Sequence, residues 1–293
     1  MIAQLRYLLR LATEQHFGRA AEACGVTQPT LSAGIRALEA TLGVLLVRRG
    51  SRYQGLTPEG DAVLVWARRI VADERALYDE VRALRSGVTG HLRLGVIPTA
   101  LTGVADLTAP FTARYPAVTF SILSRTSKDI LDGLDDLHFD AGITYLDAEP
   151  IGRVRTLPLY AETYCAVTQA SARFLGQDAI HWHELDGVPL CLLTSDMQNR
   201  RIIERKLREA GVVPNVAVDS ESLTVLLTHA RSRPWTAILP AVTGLDLGAD
   251  ARTRIVPIIE TGAAPLVGLV YPTRDPLMPA LAALVASLSH TGR

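Results

Sequence analysis

The chain of 293 residues has no apolar run approaching the roughly 20 residues that a membrane-spanning helix needs. Its first segment, MIAQLRYLLRLA, is interrupted by Gln4, Arg6 and Arg10 and does not read as a secretory leader. A cytoplasmic protein without membrane association is expected. Cysteine is scarce: Cys24, Cys165 and Cys191 give neither an even framework nor a CxxC spacing. Buried free thiols are the reading, with a redox switch between Cys165 and Cys191 as the alternative. The His181–Trp182–His183 triplet has no partner at a metal-ligand spacing, so neither a metal nor a cofactor is expected. No GxSxG, P-loop or HExxH pattern is present, and the chain is not expected to be an enzyme.

Net charge is also missing, since 30 basic residues balance 30 acidic ones. Its distribution is uneven. Residues 1–58 carry seven Arg (6, 10, 19, 36, 48, 49, 52) against three Glu (14, 22, 39), a net +4. Residues 59–90 come to −1, with five basic and six acidic side chains, and the remainder to −3, with 18 and 21. A basic head on a mildly acidic body suits a small DNA-binding domain fused to something larger.

Within that head, residues 18–40 read as two short helices around a sharp turn. Ala20, Ala21 and Ala23 make a helix that another can approach closely, and Gly25 supplies the turn. Thr27 is an N-cap and Pro29 sits in the first turn, where its missing N–H costs nothing. Leu31, Ile35, Leu38 and Leu42 recur at helical spacing and mark a buried face. Gln28, Thr30, Ser32, Ala33 and Arg36 are left on the other side, where amide and hydroxyl groups read base edges and Arg holds a phosphate; Pro29 is counted with Gln28, Thr30, Ser32 and Arg36 as DNA-binding. A further helix over residues 2–16 is expected upstream, with Leu5, Leu8, Leu9 and Ala12 inward. Downstream, Val44–Val47 and Tyr53–Leu56 read as a two-stranded wing whose tip, with Arg48, Arg49 and Arg52, lies over the DNA backbone. Pro58 to Ser86 then forms one helix, about 45 Å long at about 1.5 Å per residue. Val63, Ile70, Leu77 and Leu84 fall seven apart along it, a seam for pairing with a second copy.

These first ninety residues resemble a LysR-type transcriptional regulator, through AAEACGVTQPTLSAGIRALEATLG, LVRRG and LTPEG taken in order. Ala33 stands where many relatives carry Arg, and Gly34 sits in mid-helix at a cost of about 1 kcal/mol relative to Ala. From His91 onward strands and helices alternate as HLRLGVI, VTFSIL, FDAGIT, then TYCAVT crossing into VPLCLLT, NVAVD and TAILP, with PLVGLVYP running back. The pattern gives two α/β lobes with ligand space at the strand C-termini. They resemble the periplasmic-binding-protein-like sensor domain of the same family. The expected fold is therefore multidomain: a winged helix-turn-helix over 1–58, a dimerisation linker helix over 59–88, and an α/β effector-binding domain over 91–293. Lobe I takes about 91–160 and 266–293, and lobe II about 161–265.

Polar residues at the strand ends are the effector candidates: Pro98, Thr99, Ala100, Thr126, Ser127, Thr194, Ser195 and Ser220. Several stand at helix N-termini, which favour an anion, so a small organic acid is the expected effector class. Asp129, Asp196 and Glu221 are expected in first helical turns, where they would already satisfy those dipoles. Each Ser or Thr taken singly reads equally as an ordinary N-cap. Arg233-Pro234-Trp235 reads either as a cleft edge or as a surface loop. The resemblance implies double-stranded DNA as partner, a homodimer assembled into a homotetramer, an effector that alters DNA bending, and RNA polymerase as a candidate further partner. The competing reading is a solute-binding-protein-like small-molecule binder without regulatory DNA function, which would leave the basic head without a role.

Overall fold

The computed structural model describes the chain except residues 49, 51–52, 148, 170–173, 175, 249–252, 261 and 292–293. It divides into two units, Met1–Gly87 and Val88–Arg293.

In the first unit, α1 (Ile2–Glu14), α2 (Phe17–Ala23) and α3 (Gln28–Leu42) pack around Leu5, Leu8, Leu11, Ala20, Ala21, Leu31, Ile35 and Leu38, and α4 (Pro58–Ser86) adds Leu64 and Ala67. Leu42 differs from its expected inward position. It stands 42% exposed, because α3 ends there and Gly43 turns the chain through φ 72°. The mid-helix Gly34 has a packing reason: a Cβ there would lie 2.6 Å from Cδ2 of Tyr7 on α1. Among the described residues the expected two-stranded wing shows one antiparallel bridge, Val47 to Leu56. The N–H groups of Leu46 and Val47 are instead held by Glu39 Oε1 at 2.8 and 3.1 Å. Thr57 ties this corner to α4, donating to Leu45 O at 2.6 Å and capping Gly60 N at 2.9 Å. Gly60 is required there, since a Cβ would sit 2.1 Å from the carbonyl oxygen of Leu46. The LTPEG motif is thus a steric and hydrogen-bonding fit between α4 and the bridge.

The second unit contains two sheets. The first has β1 (Gly90–Val96), β2 (Val118–Ser124), β3 (Ala141–Tyr145), β4 (Val154–Ala161) and, from the chain's end, β11 (Leu266–Pro272), in the order β2-β1-β3-β11-β4. β1 runs parallel to β2 and β3, while β11 is antiparallel to β3 and β4. The helices α5 (Val104–Arg114), α6 (Ser127–Asp135) and α10 (Pro279–Thr291) belong to this lobe. The second sheet contains β5 (Tyr164–Gln169), β6 (Ile180–His181), β7 (Pro189–Leu192), β8 (Asn215–Asp219), β9 (Thr236–Pro240) and β10 (Thr253–Ile259), in the order β6-β10-β5-β9-β7-β8. α7 (Gln198–Glu209), α8 (Leu223–Ser232) and α9 (Ala241–Gly248) accompany it. The chain crosses between lobes twice, after β4 and after β10. Sequence periodicity missed β4, β6, β10 and α9. β4 carries an internal Pro158 and lacks a regular alternation of half-buried and exposed positions, and β10 carries an internal Pro257.

Replacing Gly60 by Ala forces a backbone or side-chain shift of the kind that costs about 1–3 kcal/mol in packed interiors. Chemical denaturation of the first unit's transition should show that loss, and an unchanged midpoint would contradict the close approach.

Candidate DNA-facing helix and interlobe site

The helix pair is set by its caps. His16 Nδ1 accepts from Gly18 N at 3.1 Å and Arg19 N at 3.3 Å, opening α2. Thr27 Oγ1 accepts from Thr30 N at 3.4 Å and shares a 2.9 Å hydrogen bond with the Thr30 hydroxyl, opening α3. With Leu31, Ile35 and Leu38 buried, the other side of α3 exposes Gln28, Pro29, Thr30, Ala33 and Arg36, while Ser32 is half-buried. The bulk of the predicted reading face is therefore accessible on one helix. Arg48 is exposed, and its Nε donates to Leu56 O at 3.0 Å, which holds the side chain on the bridge. Arg49 and Arg52 lie outside the described residues.

The seam on α4 splits into two halves. Val63 and Ile70 are half-buried against the first unit's own core, so a seam wholly free for a partner is not what the helix presents. Leu77 and Leu84 are 63% and 81% exposed, and Val81 at 46% joins them on one face. Trp66 is 62% exposed, with the Arg69 guanidinium 5.5 Å above its ring.

Between the lobes the polar residues form a connected set. Tyr145, at the end of β3, donates to Glu162 Oε1 at 2.6 Å. Asn199, in the first turn of α7, donates from Nδ2 to the Tyr145 hydroxyl at 2.9 Å and to Glu162 Oε1 at 3.4 Å. Thr99 is buried, its hydroxyl 3.4 Å from that of Tyr145, and its carbonyl accepts from Thr243 Oγ1 of α9 at 3.1 Å. Arg201 and Glu149 form a bidentate pair at 2.6 and 3.0 Å. That pair is about two-fifths exposed and adds well under about 1 kcal/mol. Burial pushes the Glu162 carboxyl up to about 7, against hydrogen bonds that favour its ionised form.

The predicted effector residues fall into three groups. Pro98, Thr99 and Ala100 are buried in a short 3-10 turn, and the α-helix expected directly after them begins only at Val104. Thr126 and Ser220 act as local caps, accepting from Asp129 N at 3.1 Å and Ser222 N at 3.2 Å. Ser127 Oγ and Thr194 Oγ1 are buried without a hydrogen bond, as is Gln198 Nε2, while Ser195 is exposed. Asp196 precedes α7, which has no acid in its first turn and no side-chain cap at Met197. Glu221 likewise precedes α8, which starts at Leu223; only Asp129 occupies a first turn, that of α6. The first turn of α7 therefore carries no acidic side chain of its own. Sequence reasoning missed Tyr145, Glu162 and Asn199. The signal was a charged residue, Glu162, between two apolar strands at the crossing.

The remaining candidates have structural duties. Cys165 lies in β5 and Cys191 in β7 with β9 between them, opposite Leu239 and Ala237 respectively. Two strand spacings, about 9.5 Å, exceed the roughly 7 Å beyond which no disulfide closes without backbone movement. Burial pushes their thiols up to about 12 and about 11. Trp235 stacks on His229 at 5.8 Å and packs against the β5–β7–α8 core. His181 and His183 stack at 5.4 Å, and Glu184 accepts from His181 N at 2.7 Å, closing a capping box. Among the described residues no group of three or more His, Cys, Asp or Glu could hold a metal, and no helix is long and apolar enough to cross a membrane.

Comparison with known proteins covers nearly the whole chain. Residues 2–61 match the family model described as "Bacterial regulatory helix-turn-helix protein, lysR family", and residues 85–293 match "LysR substrate binding domain". The chain is 36% identical over 213 residues to the "Probable hydrogen peroxide-inducible genes activator" of Streptomyces viridosporus, covering 72% of this chain and 67% of that protein. It is 27% identical over 277 residues to the "DNA-binding transcriptional dual regulator OxyR" of Escherichia coli K12, covering 94% and 90%. The solved structure of a full-length OxyR variant from Pseudomonas aeruginosa superposes with a TM-score of 0.77 at 26% identity, covering 98% of this chain and 97% of that one. CbnR bound to its target DNA shares the fold, with a TM-score of 0.70 at 22% identity and 99% of each chain covered.

Native protein treated with iodoacetamide at pH 8 is expected to be modified at half-buried Cys24 well before Cys165 or Cys191. Peptide masses showing all three thiols reacting at one rate would contradict the burial of the last two.

Proposed function

The chain belongs to the LysR family of bacterial helix-turn-helix transcriptional regulators, and from that premise we propose that a small organic anion, seated between its sensor lobes against the N-terminus of α7, controls how it holds duplex DNA. The observation that carries the effector class is the α7 terminus itself. It has no carboxylate in its first turn, no side-chain cap, and two buried polar atoms without partners, Thr194 Oγ1 and Gln198 Nε2, beside it. Free N–H groups and the helix dipole favour an anion. Ser127 Oγ, buried and unpaired at the start of α6, supplies a hydroxyl from the other lobe. Thr99 contributes through its bond to Tyr145 rather than as a free donor.

The proposed division of labour follows the sequence boundaries: DNA reading by 1–58, pairing by the linker helix over 59–88, and sensing by 91–293, with lobe I at about 91–160 and 266–293 and lobe II at about 161–265. On DNA, Gln28, Pro29, Thr30 and Ser32 face base edges, and Arg36 and Arg48, with Arg49 and Arg52, hold phosphates. A homodimer pairs through the exposed stripe Leu77, Val81 and Leu84, with Val63 and Ile70 shared between that stripe and the protomer's own core. Two such dimers make a tetramer that bends the DNA between half-sites, a deformation costing about 1–6 kcal/mol. An effector shifts the bend only by its difference in affinity for the two lobe arrangements.

Hydrogen peroxide appears in the names of several relatives. The thiols of this chain do not support a disulfide-based response, because Cys165 and Cys191 are buried two strands apart with their ionisation suppressed. The response proposed here is non-covalent.

Arg36→Ala should weaken binding to every duplex sequence several-fold and lower the slope of log affinity against log salt by about one. An unchanged slope would remove Arg36 from the phosphate contacts. A thermal-shift screen of small organic acids on the full-length protein should find at least one that stabilises it. Thr194→Ala combined with Gln198→Ala should abolish that shift while DNA affinity stays within about twofold. A shift that survives the double substitution would place the effector elsewhere.

A further inference from the structure

Both crossings between the lobes carry a glutamate, and one face of α7 touches both. Glu162 lies at the first crossing, after β4, and Glu260 at the second, directly after β10. From α7, Asn199 reaches Glu162, and Lys206, two helical turns further on, pairs with Glu260 Oε2. The Lys206 ammonium is itself buried, 5.9 Å from the ring of Tyr164 and 5.8 Å from that of Trp182. The Lys206 ammonium is paired with Glu260, and Glu162 is held by Tyr145 and Asn199 instead. Ionised, Glu162 is a carboxylate in surroundings that strip water from it, with the Glu260 charge nearby. Glu162 is the group positioned to shed its charge. It is only 2% exposed, and its Oε2 is buried without a hydrogen bond.

We propose that Glu162 is a proton-operated lock on the interlobe hinge: the protonated carboxyl favours the packed arrangement of the crossings, and losing the proton favours one in which the carboxylate meets water. The groups facing it are Tyr145 on β3, Tyr160 on β4, Tyr164 on β5, Asn199 on α7 and Glu260 at the second crossing, which is itself paired with Lys206. Burial raises all three phenols further above their ordinary range, so Glu162 is the carboxyl whose titration matters near neutrality. Burial is the main cause of its raised value and the neighbouring Glu260 charge adds to it, while hydrogen bonds from Tyr145, Tyr164 and Asn199 oppose it. The sign follows. Packing lifts the carboxyl from 4.5 to about 7, so the proton binds the packed arrangement more tightly than a hydrated one. Relative to the hydrated arrangement, the packed one loses about tenfold in population per pH unit between those values and then levels off. The lock therefore releases as pH rises towards neutral and is re-formed on acidification.

This inference rests on the interlobe seam being the responsive hinge, but its test uses neither DNA nor effector. Full-length protein with Cys24→Ser, Lys128→Cys and Arg208→Cys offers two exposed labelling sites, one in each lobe. Labelled chains diluted into excess unlabelled protein would report the interlobe distance by Förster transfer from pH 5 to pH 8.5. The distance should change as pH rises from 5 and level off near pH 7. Glu162→Gln, a neutral isostere, should hold the acid-side distance throughout. Tyr145→Phe, which removes a donor favouring the ionised form, should move the point at which the change levels off to higher pH. A distance constant across the range, or the same change in Glu162→Gln, overturns the proposal. If Glu162→Gln does not fold, an unmoved levelling-off point in Tyr145→Phe overturns it instead. Failure of the effector reading would show in the organic-acid screen and leave these distances untouched.

Discussion

One short chain of hydrogen bonds holds the two sensor lobes in register: Asn199 on α7 to the Tyr145 hydroxyl on β3, and Tyr145 on to Glu162 at the crossing. Each member comes from a different part of the chain, and each is buried. Buried polar groups of this kind are costly when partners are lost, so they specify one arrangement more sharply than apolar contact does. The apolar core of Leu92, Leu94, Ile143, Leu190, Leu192, Ile238, Val267 and Leu269 supplies the bulk of the cohesion in the second unit. The polar chain decides how the lobes meet. A molecule entering between them must work against, or together with, those few bonds, which makes the seam a place where small binding energies have geometric consequences.

The first unit solves a different problem, that of presenting one helix face reproducibly. α3 is fixed by Leu31, Ile35 and Leu38 beneath, by the Tyr7 ring against Gly34, and by Glu39, which reaches past the helix end to hold the N–H groups of Leu46 and Val47. Thr57 and Gly60 then lock the start of α4 against the same corner. A rigid mounting matters because phosphate contacts set register only if the side chains that make them start from fixed positions.

Much of this was legible in the sequence, and the misses have physical causes. The caps Thr27 and Thr57, the buried face of α3 and the long α4 followed from local chemistry acting within one helix. Gly34 read as a defect because its partner, Tyr7, lies 27 residues away on another helix. The expected free seam on α4 failed at Val63 and Ile70, since periodicity shows that a face is apolar but not which body covers it. Strand β10 was missed because Pro257 hides its pattern. At the sensor site, Thr99, Ser127 and Thr194 could be picked out as strand-end residues. Tyr145, Glu162 and Asn199 could not, for their roles exist only once three distant segments are brought together. Asp196 illustrates the opposite error: α7 begins two residues later than expected, so Asp196 precedes the helix instead of occupying its first turn.

The account depends most on the claim that the basic first unit reads DNA sequence while the second unit carries the chemical signal. The most direct measurement is the affinity of the full-length protein for a duplex spanning the region upstream of its own gene, compared with a random duplex of equal length at physiological ionic strength. The account predicts a preference of at least about a thousandfold, as for specific regulators generally. Equal affinity for the two duplexes, with and without each organic acid that stabilises the protein, would contradict it.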